Sequence, residues 1–224
     1  MSKKYLIYKG PGACPVSIEN LFNTCKRLKI DSISFITADE IIAGKCEGTH
    51  FIMPGGRDIP YTRSLKGTGT EQIRRFVEAG GKYIGVCAGA YFAGSFVSFD
   101  KEGPLEVLGE RELKFYSGTV KGPIYGTFDY YSNKGASAVE IDWEEKLHVY
   151  FNGGGTFVGG DANIIATYPN KLPAIIETKV GKGKALLSGI HFEFLSNDLD
   201  DSLTHIKSKL NNDAIIRLQQ FLLD

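Results

Sequence analysis

Cys87 is the residue of this sequence best placed to do chemistry. It lies in GVCAG, after the apolar run KYIGV and before a string of small residues, with Gly85 and Gly89 two positions to either side. This is the grammar of a nucleophile elbow, where a sharp strand-to-helix turn lifts a side chain above a sheet and small neighbours avoid clashes. The start of the following helix favours a thiolate, the reactive form of cysteine. A thiol nucleophile needs a base, and the base needs an orienting group. Of the four histidines, His191 follows a predicted strand, ALLSGI, and has Glu193 two residues on. In extended geometry both side chains face the same way, so the imidazole would take the thiol proton with one nitrogen while the carboxylate holds the other.

The third element is Gly55-Gly56 in FIMPGGRD, at the end of another predicted strand. Backbone N–H groups of such a turn, joined by the N–H of Ala88, would form an oxyanion hole. The remaining candidates are weaker. His50 and His205 read as ordinary surface or strand-boundary residues, and His148 as a packed or solvated position of KLHVYF. Cys14 in GPGACP is a rival nucleophile ahead of a helix, whereas Cys25 and Cys46 read as structural. The loop FNGGGTF reads as a plain turn.

These residues need a sheet to carry them. KYLIYKG reads as a strand and VSIENLFNTCKRLK as a helix, because Ile18, Leu21, Phe22, Cys25 and Leu28 recur at helical spacing. SISFI predicts a second strand running into Thr37-Ala-Asp-Glu40, a capping box ahead of a short helix. THFIM, followed by PGGRDIPY, is a third strand, TEQIRRFVEAGG a helix with a glycine stop, and KYIGV the fourth strand. This alternation predicts a mostly parallel α/β sheet with its ligand site at the carboxyl ends of the strands. From about residue 105 the rhythm changes to short strands separated by turn residues, which predicts an antiparallel β-rich extension ending in a hairpin around Gly181 and Gly183.

The 224 residues suit one domain spanning 1–224, and 26 basic and 26 acidic residues cancel without long runs of one sign. That excludes a polyelectrolyte surface for nucleic acid or an anionic membrane. The apolar run near the N-terminus is too short for a signal peptide or a membrane span. Four sparse cysteines without a C-x-x-C pair point to a reducing cytoplasm. No metal is expected, since no His, Cys and carboxylate cluster has ligand spacing, and no cofactor is expected.

With PGG at 54–56, GVCAG at 85–89 and GIHFE at 189–193 in that order, the chain resembles the class I glutamine amidotransferase-like superfamily. More narrowly, IYKGPGACPVSIENL, MPGGRDIPY, GGKYIGVCAGAYFAG and GKGKALLSGIHFE make it similar to the biotin-protein ligase N-terminal domain family. The resemblance implies a flavodoxin-like sheet flanked by helices and a Cys87-His191-Glu193 triad, with Gly55, Gly56, Ala88 and Tyr91 at the substrate. Tyr91 stands where glutamine-hydrolysing members usually carry Gln, so glutamine is not carried over as the substrate. Phe192 replaces the usual Pro between His and Glu. Ala88 replaces the His of the intracellular-protease branch. The Gly-Arg-rich adenylate loop of a biotin ligase is absent, so biotinylation by this chain alone is not expected. Two functions are open: a cysteine hydrolase or amidotransferase-like enzyme acting on an amide or related acyl bond of a small or peptide-like substrate, or a ligand-binding or regulatory module with a protein partner. In the module, Arg57, Asp58 and Tyr61 matter more than the triad.

Overall fold

A computed structural model describes residues 3–224; Met1 and Ser2, which open the segment read for targeting, lie outside the described residues. The chain runs β1 (Lys4–Tyr8), α1 (Pro15–Arg27), β2 (Ser32–Ile36), α2 (Ala38–Ile42), β3 (His50–Met53), α3 (Asp58–Leu65), α4 (Thr68–Glu78), β4 (Lys82–Val86) and α5 (Ala88–Ala93). Eight strands follow without an intervening α-helix: β5 (Gly94–Phe99), β6 (Val107–Glu110), β7 (Tyr116–Gly122), β8 (Ser137–Asp142), β9 (Lys146–Phe151), β10 (Thr156–Val158), β11 (Asn163–Thr167) and β12 (Pro173–Val180). Then come β13 (Gly183–Ser188), α6 (Thr204–Lys207) and α7 (Asn212–Leu223).

Nine strands form one sheet in the order β2-β1-β3-β4-β13-β12-β11-β8-β9. The expectation of a mostly parallel sheet needs correcting. Pairings from β2 through to β13 are parallel, four in all, and the four from β13 to β9 are antiparallel. The physical reason is connection length: parallel neighbours need a crossover of a dozen or more residues, supplied by helices only in the first half of the chain. The β-rich stretch also builds a second sheet, β10-β7-β5-β6, that pattern reading did not separate from the first.

Side chains along the buried central strands alternate between two cores with period two. Tyr5 and Ile7 join a core with Leu21 of α1 and Leu218 of α7, while Leu6 and Tyr8 face the opposite core with Ile73 of α4. Both faces of the parallel half are therefore covered, as its near-continuous apolar strands require. α3 opens at Asp58, directly after Arg57, which follows the Gly55-Gly56 turn. Pro60 sits in the first turn of that helix, where its missing N–H costs nothing, and Asp58 complements the positive end. The capping box forms as spaced, Thr37 Oγ1 accepting from Glu40 N–H while Glu40 accepts from Thr37 N–H. No helix of the described residues is long and apolar enough to cross a membrane.

Candidate functional site

Three adjacent parallel strands, β3, β4 and β13, end side by side, and each delivers one part of the site. Gly55 and Gly56 follow β3, Cys87 follows β4, and His191 follows β13. Cys87 has φ 49° and ψ −104°, a left-handed backbone that a side chain enters only under strain and that turns the chain sharply into α5. Its N–H is tied to the Ser188 carbonyl at 2.8 Å. The small residues around it are a steric need: a Cβ on Gly89 would stand 2.2 Å from the Met53 carbonyl oxygen at the end of β3.

His191 meets Glu193, but not through extended backbone. Its N–H donates to the Tyr150 carbonyl at 3.0 Å, and the chain then turns, with the Phe192 carbonyl accepting from Gln219 Nε2 at 2.8 Å. The turn still brings Nδ1 within 2.9 Å of Glu193 Oε1, and His191 lines the same cleft as Cys87. The Cys87 sulfur has the Asn152 carbonyl oxygen at 3.7 Å. Burial pulls the His191 imidazole down, but Glu193 and Cys87 together outweigh it and hold the group well above its ordinary value. An imidazole so placed can take a proton from the thiol and keep it.

Ser17 is the residue that sequence reasoning missed. It is buried on α1, donates to Glu193 Oε1 at 2.7 Å and accepts from Gly55 N–H at 3.0 Å, so one hydroxyl ties the carboxylate to the glycine turn. Gly55 thus has no free N–H to offer, and serves by closeness: a Cβ there would lie 2.6 Å from His191 Cε1. The N–H groups of Gly56 and Ala88 have no hydrogen-bond partner among the described residues. A small hydroxyl on the inward face of a predicted helix was the available signal for Ser17. Replacing it with Ala should leave a buried carboxylate oxygen and a buried N–H each short of a partner, costing about 1–3 kcal/mol; urea denaturation measures this.

Tyr91 is fully packed, its hydroxyl donating to the Gly153 carbonyl at 3.1 Å and its ring edge-on to Phe99. Cys14 caps the start of α1 and lines the same cleft as Cys87, a volume of ≈ 740 Å³ whose walls include Arg57, Tyr130, Tyr150, His191 and Phe194. The other candidates stay apart. Cys25 and Cys46 are raised to about 12 and about 11 by burial. His148 lies mid-strand on β9 and His205 is exposed on α6. His50, read as a surface or strand-boundary residue, does open β3 but is buried, stacked on Tyr5 at 4.1 Å; burial, then Lys82 and Lys3, lower it to about 4. No three His, Cys, Asp or Glu of the described residues are grouped so as to hold a metal ion.

A family model described as biotin-protein ligase, N terminal, matches residues 3–221. The biotin–protein ligase of Schizosaccharomyces pombe is 35% identical over 208 residues, 84% of this chain and 33% of that protein. The chain therefore spans about a third of the length of this curated relative. Among solved structures, a GH42 β-galactosidase variant from G. stearothermophilus superposes with TM-score 0.60 at 13% identity, over 100% of this chain and 30% of that one. A protein assigned to GMP synthase from Thermoplasma acidophilum does so with TM-score 0.56 at 10% identity, over 98% and 92%. These two likenesses concern the fold alone.

Proposed function

Because this chain belongs to the biotin-protein ligase N-terminal family, we propose that it is an amidotransferase-like cysteine hydrolase that cleaves an amide or related acyl bond. The observation that carries the proposal is the His191 ring, bound at Nδ1 to Glu193 at 2.9 Å and lining one cleft with Cys87. Cys87 Sγ forms the new bond to the acyl carbon as its proton passes to His191. The Gly56 and Ala88 N–H groups receive the carbonyl oxygen as it gains charge. Collapse to a thioester breaks the bond to the leaving amine, which takes the proton back from His191. Water then hydrolyses the thioester with His191 again as base, releasing the acid and restoring the thiol, while the amine freed in the first step diffuses away or passes to a partner protein. Glu193 orients the ring through Nδ1 and stabilises the imidazolium.

The four cysteines allow a test without a known substrate. Treated with limiting iodoacetamide near neutral pH, Cys87 should be alkylated ahead of Cys14, Cys25 and Cys46, and the His191→Ala protein should lose that order; peptide mass spectrometry reads both. Cys87 reacting no faster than Cys14, with no response to His191, overturns the enzyme. That outcome would favour the second reading, a silent binding module, which draws on Tyr91: its ring and hydroxyl fill the space beside Cys87.

A further inference from the structure

Arg57 follows Gly56 directly and lines both the large cleft and the narrow recess beside Cys87, Ala88 and Tyr91. Its guanidinium lies 4.3 Å from the centroid of the Tyr130 ring and 5.5 Å from that of Tyr131. Stacking of this kind fixes the plane of the group while leaving its edge N–H donors free. The neighbouring acid does not use them, because Asp58 is held by Arg111 at 2.6 and 2.8 Å. The other acids of the cleft wall are bound into their own loops: Asp129 accepts from Tyr131 N–H and the Ser132 hydroxyl, Asp198 from Leu195 N–H, and Asp200 from Ser202 N–H. Arg57 is the one Lys or Arg in that wall and forms no ion pair with a described residue.

We propose that the acyl compound taken by Cys87 carries an ionised carboxylate, which Arg57 grips beside the oxyanion turn. The inference rests on the reading of Cys87 as nucleophile and adds the class of substrate. A carboxylate matches the guanidinium edge through two parallel N–H···O bonds. A doubly charged phosphate doubles the attraction to Arg57 and equally the repulsion from Asp129, Asp198 and Asp200, so in a wall with three acids and one Arg the singly charged group is the less penalised.

Iodoacetate and iodoacetamide test this, because each loses iodide to the same thiolate and they differ only in carboxylate against carboxamide. The rate ratio of the two at Cys87, read on the Cys87 peptide by mass spectrometry, should fall about fivefold in Arg57→Gln, the factor an exposed charge pair delivers near the upper end of its usual worth. Arg57→Lys should keep an intermediate ratio, since charge survives and the fork does not. A ratio in Arg57→Gln equal to that of the unaltered protein overturns the proposal. Failure of the nucleophile reading would appear separately, as iodoacetamide rates at Cys87 that ignore His191.

Discussion

Glu193→Gln should slow the alkylation of Cys87 by iodoacetamide about tenfold or more at pH 7 and reverse the pH dependence of stability around His191. Glu193 is wholly buried, with Oε1 between His191 Nδ1 and the Ser17 hydroxyl and Oε2 without a donor among the described residues. His191 is the ionisable partner of this buried carboxyl group, and removing one member of a buried pair costs about 3 kcal/mol or more. In the unaltered protein burial opposes protonation of His191, yet Glu193 and Cys87 prevail and hold it well above its ordinary value. The folded state therefore keeps a proton that the unfolded chain releases near pH ~6.5. This contribution to stability is fully present below that pH and is lost as pH rises through the higher folded value. With Gln at 193 the main raising charge is gone and burial remains, so protonation now disfavours the folded state and stability falls toward acid. The difference in unfolding free energy between the two proteins, from urea titrations across pH, should be largest on the acid side and shrink as pH rises. A difference independent of pH would mean that the carboxylate does not support an imidazolium. The alkylation rate reads the same charge from the other side, because a neutral imidazole no longer balances a thiolate.

The parallel half of the fold was legible because its signals are local and agree with one another. Helical spacing in α1, the capping box at Thr37 and the glycine stop after α4 each appear where the pattern requires. Cys87 was legible for the same reason, since an apolar run followed by small residues has few uses. The β-rich half was not, because which strand joins which sheet depends on contacts distant in sequence. β7 pairs in parallel in one sheet with β5, a strand the pattern did not single out, and β8 enters the other, although β7 and β8 read alike as short β-rich segments. The pairing of His191 with Glu193 was anticipated from extended backbone but is made by a turn, held in place by Tyr150 and Gln219. Ser17 was missed for a related reason: its place on the inward face of a predicted helix was readable, but its reach to Glu193, 176 residues away, was not. The triple glycine of FNGGGTF, read as a plain turn, has a larger role than its composition suggested.

Gly154→Ala should destabilise the protein by about 3 kcal/mol and abolish the preference of alkylation for Cys87. The loop from β9 crosses the end of β13 backbone against backbone, and a Cβ on Gly154 would stand 1.7 Å from the Gly189 carbonyl oxygen. Neither chain can yield. Gly153, Gly154 and Gly155 each spend a carbonyl holding the loop in place, on the Tyr91 hydroxyl, the Ile124 N–H and the Tyr168 hydroxyl. The loop also supplies the Asn152 carbonyl that faces the thiol, and β9 the Tyr150 carbonyl that accepts from His191 N–H. A methyl group at 154 must therefore push apart the strand end that carries His191 and the segment that flanks Cys87. Overpacking of this kind costs about 1–3 kcal/mol where side chains can shift, and the upper end is expected where only backbone is available to move. Gly159→Ala separates this effect from the general cost of losing a glycine. Its φ is also positive, at 76°, but a Cβ there meets nothing within 4 Å, so only the left-handed penalty of about 1–2 kcal/mol applies and Cys87 should keep its place in the order of alkylation. Equal urea midpoints for the two variants, with Cys87 still the first thiol to react in both, would mean that the crossing at Gly154 and Gly189 does not hold the cleft together.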